Sequence, residues 1–309
     1  MRASWIAISA LAFIVMGSAK AAPLPATPQY RLLSIGSLYA VALKDGALEE
    51  ANDGKSFSVG HEPSEVASVL KSGGAPTDHF EFSIQPLLVR ADRRVLLFDT
   101  GAGSNFGPIA GALLKSMQAA DIDPATVTDI FITHAHGDHT GGLLTPSGSL
   151  TFPQATIHMS APEWAYLNGM SQDLATQMGL AHIDRMVQTL KPKVVAFAPN
   201  AELIPGLVKA VEIKGHTPGH SGYLISSGND SLLFIGDSMH SYVVSVRKPQ
   251  WQIAYDADPA TAADSRVALV ASLAASGQRI YAVHFPFPGV GKIVKQRAHY
   301  TWVPEQLEP

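Results

Sequence analysis

Thr133-His134-Ala135-His136-Gly137-Asp138-His139-Thr140-Gly141-Gly142 places three histidines and an aspartate within six consecutive positions and closes on a glycine pair. The run Asp129 to Thr133 just before it is β-rich, so the segment reads as the end of a strand entering a turn. Side chains alternate along a strand, and His134 and His136 can therefore converge once the backbone turns at Gly137. Asp138 and His139 then face a neighbouring point from the far side of that turn. Neutral imidazole and carboxylate are good ligands for divalent cations, and paired cations in hydrolytic sites lie roughly 3.5–4 Å apart. A solvated histidine-rich loop would have the same local composition. What separates the two readings is that the same residue types return downstream in matching settings.

They return at three places. Gly215-His216-Thr217-Pro218-Gly219-His220 forms a tight turn between the strand-like runs Val208 to Ile213 and Tyr223 to Ser226. Gly236-Asp237-Ser238 follows the apolar run Leu232 to Ile235, and His284 follows Arg279 to Val283. Ends of rigid strands are where layered α/β folds collect reactive groups, because the loops beyond them converge. One Gly-Asp after a strand is ordinarily a turn, and one buried histidine is ordinarily a satisfied core residue. In this order the group is specific.

The rest of the chain supports a sheet-rich layered fold. Arg94 to Phe98 is a short apolar strand ending at Asp99-Thr100-Gly101, and Ile109 to Ala120 has apolar residues at helical spacing. Thr156 to Met159 reads as a strand running into a capping box, Ser160-Ala161-Pro162-Glu163. Asp258-Pro259 opens a helix that runs to Ser276 and stops at Gly277. Residues 23 to about 80 are punctuated by glycine and proline and read as strands and loops. Strands and helices mix without strict βαβ alternation, which argues against a Rossmann sheet.

At 309 residues the chain can build one large core. A net charge of −4 leaves no basic footprint for nucleic acid and suits a small-molecule substrate. Arg2, the apolar run Trp5 to Met16 and Ala19-Lys20-Ala21 read as a signal peptide over 1–22, cleaved near Ala21/Ala22. The apolar run is short for a membrane span, so no stable anchoring is expected once it is removed. The mature domain, 23–309, is expected to be secreted or periplasmic. With no cysteine there is neither a disulfide nor a thiolate ligand, and any cation must be held by nitrogen and oxygen.

From about residue 94 to 300 the sequence resembles the metallo-β-lactamase fold hydrolases, through the H-x-H-x-D-H run, the later histidine turn, the Gly-Asp and the final His284. That resemblance implies a single-domain αββα sandwich, class α/β (α+β), and two divalent cations. By it, His134, His136 and His220 hold one ion, Asp138, His139 and His284 hold the other, and Asp237 bridges them. His220 closes the T-P-G-H turn and is the expected ligand there, which leaves His216 a hydrogen-bonding role. Zinc is the expected metal, although manganese, iron or cobalt also suits nitrogen and oxygen donors.

Within that group the chain is most similar to the methyl parathion hydrolase-like exported enzymes. The resemblance is carried by Asp99-Thr100-Gly101-Ala102-Gly103 with Phe106-Gly107-Pro108, by Gly236-Asp237-Ser238-Met239-His240, and by His284-Phe285-Pro286-Phe287-Pro288-Gly289-Val290-Gly291. It implies hydrolysis of ester, lactone or phosphotriester bonds by activated water, with Asp138 and Asp237 in the catalytic centre and a homodimer as one assembly. Phe106 and Trp164 are expected to wall the substrate pocket. The alternatives are a periplasmic β-lactamase using the same ligands and a non-catalytic metal-binding member of the fold.

Overall fold

The computed structural model describes residues 25–307. The signal peptide expected over 1–22 lies outside the described residues. The first half of the chain forms strands β1 (Gln29–Ile35), β2 (Leu38–Lys44) and β3 (Gly46–Ala51), then helix α1 (Pro63–Ser72). Strands β4 (His79–Ile84), β5 (Leu87–Ala91) and β6 (Arg94–Phe98) follow, with helix α2 (Leu113–Ala119), strand β7 (Asp129–Phe131) and the short helix α3 (Gly137–Thr140). Strand β8 (Thr156–Ser160), helices α4 (Ala161–Gly169), α5 (Gln172–Gln177) and α6 (Ile183–Leu190) and strand β9 (Val194–Phe197) complete this half.

The second half gives β10 (Glu202–Ile204), β11 (Val208–Glu212), β12 (Ser221–Ser227) and β13 (Asp230–Phe234). Helices α7 (Val244–Arg247) and α8 (Pro259–Ser276) come next, before β14 (Arg279–Tyr281), β15 (Val290–Gln296) and β16 (His299–Pro304). One seven-stranded sheet has the order β1-β2-β5-β6-β7-β8-β9 and the other runs β10 to β16 in sequence, while β3 and β4 pair as a separate hairpin.

The strand patterns explain the layering. In β6, Leu96 and Phe98 point into a core shared with Phe131 of β7 and with Tyr223, Ile225, Leu232 and Phe234 of the other sheet. Leu97 of the same strand points the opposite way, into a core with Met117 of α2, Leu167 of α4 and Leu190 of α6. In β13, Leu232 and Phe234 face the first sheet, while Leu233 meets Val270 and Leu273 of α8. Strands buried on both faces lose the polar half of their alternation, which is why these runs read as continuously apolar. Helices therefore cover the outer face of each sheet, giving the αββα sandwich.

Two expectations shift. The helix expected over Ile109 to Ala120 starts only at Leu113, because Gly111 takes a φ of +85° and sits against the Gly103 carbonyl. The segment read as strands and loops contains α1, opened by Pro63 at its first turn and buried through Val66 and Leu70. Among the described residues no helix is long and apolar enough to cross a membrane.

Candidate metal centre

Beyond the C-terminal ends of β7, β13 and β14 the chain places His134, Asp237 and His284, and the β11–β12 turn comes in from the side with His216. Parallel pairing of β6 with β7 and of β13 with β14 brings these ends to one rim of the sandwich. Four donors form a first group there. His216 Nε2 lies 3.2 Å from His134 Nε2, 3.1 Å from His136 Nδ1 and 3.4 Å from Asp237 Oδ2. The separation from His134 Nε2 to Asp237 Oδ2 is 3.6 Å.

A second group sits beside it. His139 Nε2 is 3.1 Å from Asp237 Oδ1 and 3.4 Å from Asp138 Oδ2, and His284 Nε2 is 3.1 Å and 3.5 Å from those same oxygens. A tetrahedral ion with bonds of about 2.0–2.1 Å needs donors about 3.3–3.4 Å apart, and both groups have that spacing. In the second group hydrogen bonding does not account for it. His139 Nε2 and Asp237 Oδ1 are buried without a hydrogen-bond partner, an expensive arrangement unless a cation takes up their lone pairs. Asp237 offers Oδ2 to one group and Oδ1 to the other. These residues can hold divalent metal ions.

The remaining ring nitrogens are anchored so that the donor nitrogens face inward. Asp99 Oδ2 accepts from His139 Nδ1 at 2.8 Å while its Oδ1 accepts the Thr133 N–H at 2.8 Å. Asp256 Oδ1 holds His216 Nδ1 at 2.8 Å, and the Ser83 carbonyl holds His284 Nδ1 at 2.8 Å. A hydrogen bond on the other nitrogen fixes the tautomer and swings the ring, as metal-binding histidines require.

The histidine turn corrects the expectation drawn from resemblance. His216, not His220, joins the first group. His220 has both nitrogens engaged with the main chain: Nδ1 donates to the Ile213 carbonyl at 3.1 Å, and Nε2 accepts the Asp237 N–H at 2.9 Å. No lone pair is left for a cation. Gly236, with φ of +51°, permits this close approach, since a Cβ there would stand 2.6 Å from His220 Nε2. Of the sequence-derived set, His134, His136, Asp138, His139, Asp237 and His284 are brought together as expected.

The electrostatics divide the imidazoles into two kinds: His134, His136 and His220 are lowered, and His139, His216 and His284 are raised, against burial, by the carboxylates beside them. Burial and the neighbouring His216 hold the His220 imidazole down at about 3, so it stays neutral as an acceptor. Burial likewise holds His134 and His136 well below the ordinary range, in the neutral form that ligates. His216 is pushed up to about 9, where Asp237 and Asp256 outweigh the opposing effect of burial. Burial alone would raise the Asp138 carboxyl, but His139 and His284 outweigh it and lower it. Carboxylates and imidazoles are thus interleaved rather than grouped by charge.

A cavity of about 350 Å³ opens onto the cluster, with His136, Asp138, His216, Asp237 and His284 at its base. Leu48 and Phe82 of the β3–β4 hairpin, with Phe57, Phe106 and Met178, give it an apolar wall. Phe106 is where the sequence put it. Trp164 is not: it is half-buried on α4 and packs against the helix-side core, away from the cavity. The sequence reading missed the hairpin residues because nothing in their local pattern ties them to a site roughly fifty to ninety positions further on. The His240 ring donates from Nε2 to Asp237 Oδ2, 3.0 Å away, and stacks on His284.

Layers and donor set together define a metal-binding αββα sandwich. The chain belongs to the Metallo-beta-lactamase superfamily, whose family model matches residues 81–284. Among solved structures it is similar to AidC, a dizinc quorum-quenching lactonase, with 27% identity and a TM-score of 0.84 over 91% of this chain and 99% of that one. It is similar to the hydrolase AbOPH at 28% identity and a TM-score of 0.81, covering 92% and 99% of the two chains. Ribonuclease Z of Pyrococcus furiosus is 32% identical over 101 residues, which is 32% of this chain and 29% of that protein. The match thus spans less than a third of that curated relative's length.

Proposed function

We propose that the chain is an exported hydrolase that uses two zinc ions to open lactones or to cleave ester or phosphotriester bonds in small, uncharged substrates. The observation that carries this reading is Asp237, whose two oxygens serve two adjacent donor groups of metal-binding spacing. Bound there, paired divalent cations lower the pKa of water towards neutrality and polarise the oxygen of the bond under attack.

The protein's own part is positional. Asp237 fixes the separation of the two donor groups, and Asp99, Asp256 and the Ser83 carbonyl keep the imidazoles from turning. Asp138 is the partly exposed member, facing the cavity where a substrate enters. Phe57, Phe82 and Phe106 can seat an apolar substituent and exclude water from one side of the reacting bond. Glu50 lines the cavity, and no lysine or arginine does so among the described residues. That disfavours ribonucleic acid and the carboxylate-bearing β-lactams, and it favours neutral esters and lactones. The likeness to a lactonase and to the hydrolase AbOPH supports the same choice.

The test is a panel of lactone, aryl ester, phosphotriester and cephalosporin on protein of measured metal content. Turnover of the first three classes that is abolished by a chelator and restored by zinc is the expected result. Chelator-insensitive turnover, or turnover of the cephalosporin alone, refutes the proposal.

A further inference from the structure

The capping pattern Ser160-Ala161-Pro162-Glu163 does more than start α4. Ser160 Oγ accepts the Glu163 N–H at 3.3 Å, as an N-cap should. In a capping box the glutamate side chain would reach back to the N-cap N–H. Here Glu163 is 0% exposed, and its carboxylate points to the two loops that carry the first donor group. Oε1 accepts the N–H of Ala135 at 2.8 Å, the residue between His134 and His136. Oε2 accepts Thr217 Oγ1 at 2.8 Å and the Gly219 N–H at 2.8 Å, both in the turn that begins with His216. None of these bonds serves the helix.

Where their strands end, the two loops are joined by a bond from the Ser221 N–H to the Thr133 carbonyl at 3.0 Å. Glu163 acts further out, at the tips that hold the ligands. Two of its three donors are main-chain N–H groups, which can only donate, so the bridge needs an acceptor at both oxygens.

We propose that Glu163 is a positioning residue that sets the spacing of His134 and His136 against His216, and with it the cation affinity of the first donor group. It lines neither the cavity nor the donor cluster. The imidazoles of the second group have separate anchors, Asp99 on His139 and the Ser83 carbonyl on His284, so the effect falls on the first ion. This inference rests on the reading of the cluster as a metal centre.

Glu163→Gln keeps the shape and replaces one oxygen with NH₂. Whichever way the amide turns, NH₂ faces a main-chain N–H, either at Ala135 or at Gly219, and one loop is released. The experiment measures zinc affinity of the full chain by competition with a chromophoric chelator in two backgrounds. His284→Ala disables the second group and leaves the first, and His216→Ala does the reverse. Glu163→Gln is expected to weaken zinc binding by about 10- to 100-fold in the His284→Ala background, and to leave it unchanged in the His216→Ala background.

Equal loss in both backgrounds, or no loss in either, overturns the inference. Thr217→Val removes a single donor to Oε2 and should give a smaller loss in the same background only. If Glu163→Gln does not fold, that variant decides, and unchanged affinity overturns the proposal. Failure of the underlying reading looks different, because the parent protein itself would then bind no zinc.

Discussion

The two histidines of the Gly215–His220 turn make opposite predictions. His220→Ala removes the acceptor of the Asp237 N–H and the donor to the Ile213 carbonyl, bonds of 2.9 and 3.1 Å in a fully buried place. Each stranded main-chain group costs about 1–3 kcal/mol, so the loss is about 2–6 kcal/mol. For a domain of this size that lowers the melting temperature by about 5–20 °C. Zinc content should stay at two ions per chain, because all donor atoms remain. His216→Ala takes away a donor that lies 3.1–3.4 Å from three others. Its effect on affinity should exceed the ~10- to 100-fold typical of residues that merely orient a ligand. After desalting, metal content should drop towards one ion per chain. Elemental analysis and calorimetry on the same preparations decide the matter. If His220→Ala lost an ion while His216→Ala kept two, the assignment of the turn would be wrong.

Asp256→Asn should weaken zinc binding at the first group by about 10- to 100-fold through His216. It also removes the negative charge beside the buried Arg266, whose Nη1 lies 3.7 Å from Asp256 Oδ2, at a cost of up to about 3–5 kcal/mol; a chelator titration with a wild-type endpoint would contradict the first effect and an unchanged melting curve the second. With His216 raised to about 9, cation binding must displace its proton below that pH, so zinc affinity should climb by about tenfold from pH 7 to 8 and by about fivefold more from pH 8 to 9. The chelator-treated protein should behave in the opposite sense. A folded value above the unfolded 6.5 stabilises fully below 6.5 and is lost as pH rises through 9, so its melting temperature should fall across that window; a flat or rising profile counts against it. Phe106→Ala should lower kcat/KM for a lactone with a long apolar substituent by about 5- to 30-fold, from about 1–2 kcal/mol of lost contact, and spare a substrate without one; equal loss on both would remove Phe106 from the pocket.

Much of the fold was legible because both faces of the central strands are covered. The apolar runs Arg94 to Phe98 and Leu232 to Ile235 read as strands, and α8 carried its own punctuation, with Asp258 accepting from the Thr261 N–H and Gly277 at φ of +68°. The β3–β4 hairpin and α1 were not legible. Their apolar residues pack on one another and on Trp251, Val243 and Val244 from the far end of the chain, and local periodicity records nothing of such a partner.

The donor set divides along the same line. His134, His136, Asp138 and His139 are tied together by proximity in sequence, and His284 and Asp237 by following apolar strands. His216 and His220 share those credentials equally, four residues apart in one turn. What separates them is the register of that turn against the loop after β13. Because Gly236 lets the Asp237 N–H come within 2.9 Å of His220 Nε2, the later histidine becomes the brace for the bridging aspartate and the earlier one is left to face the cluster. A sequence shows which side chains can ligate. Whether a given lone pair is already committed to the main chain depends on contacts between segments, and those decide which imidazole is free. Glu163 illustrates the same point from the other side: its local role as a helix start is plain in the sequence, while its bonds to Ala135, Thr217 and Gly219 exist only once two distant loops have met.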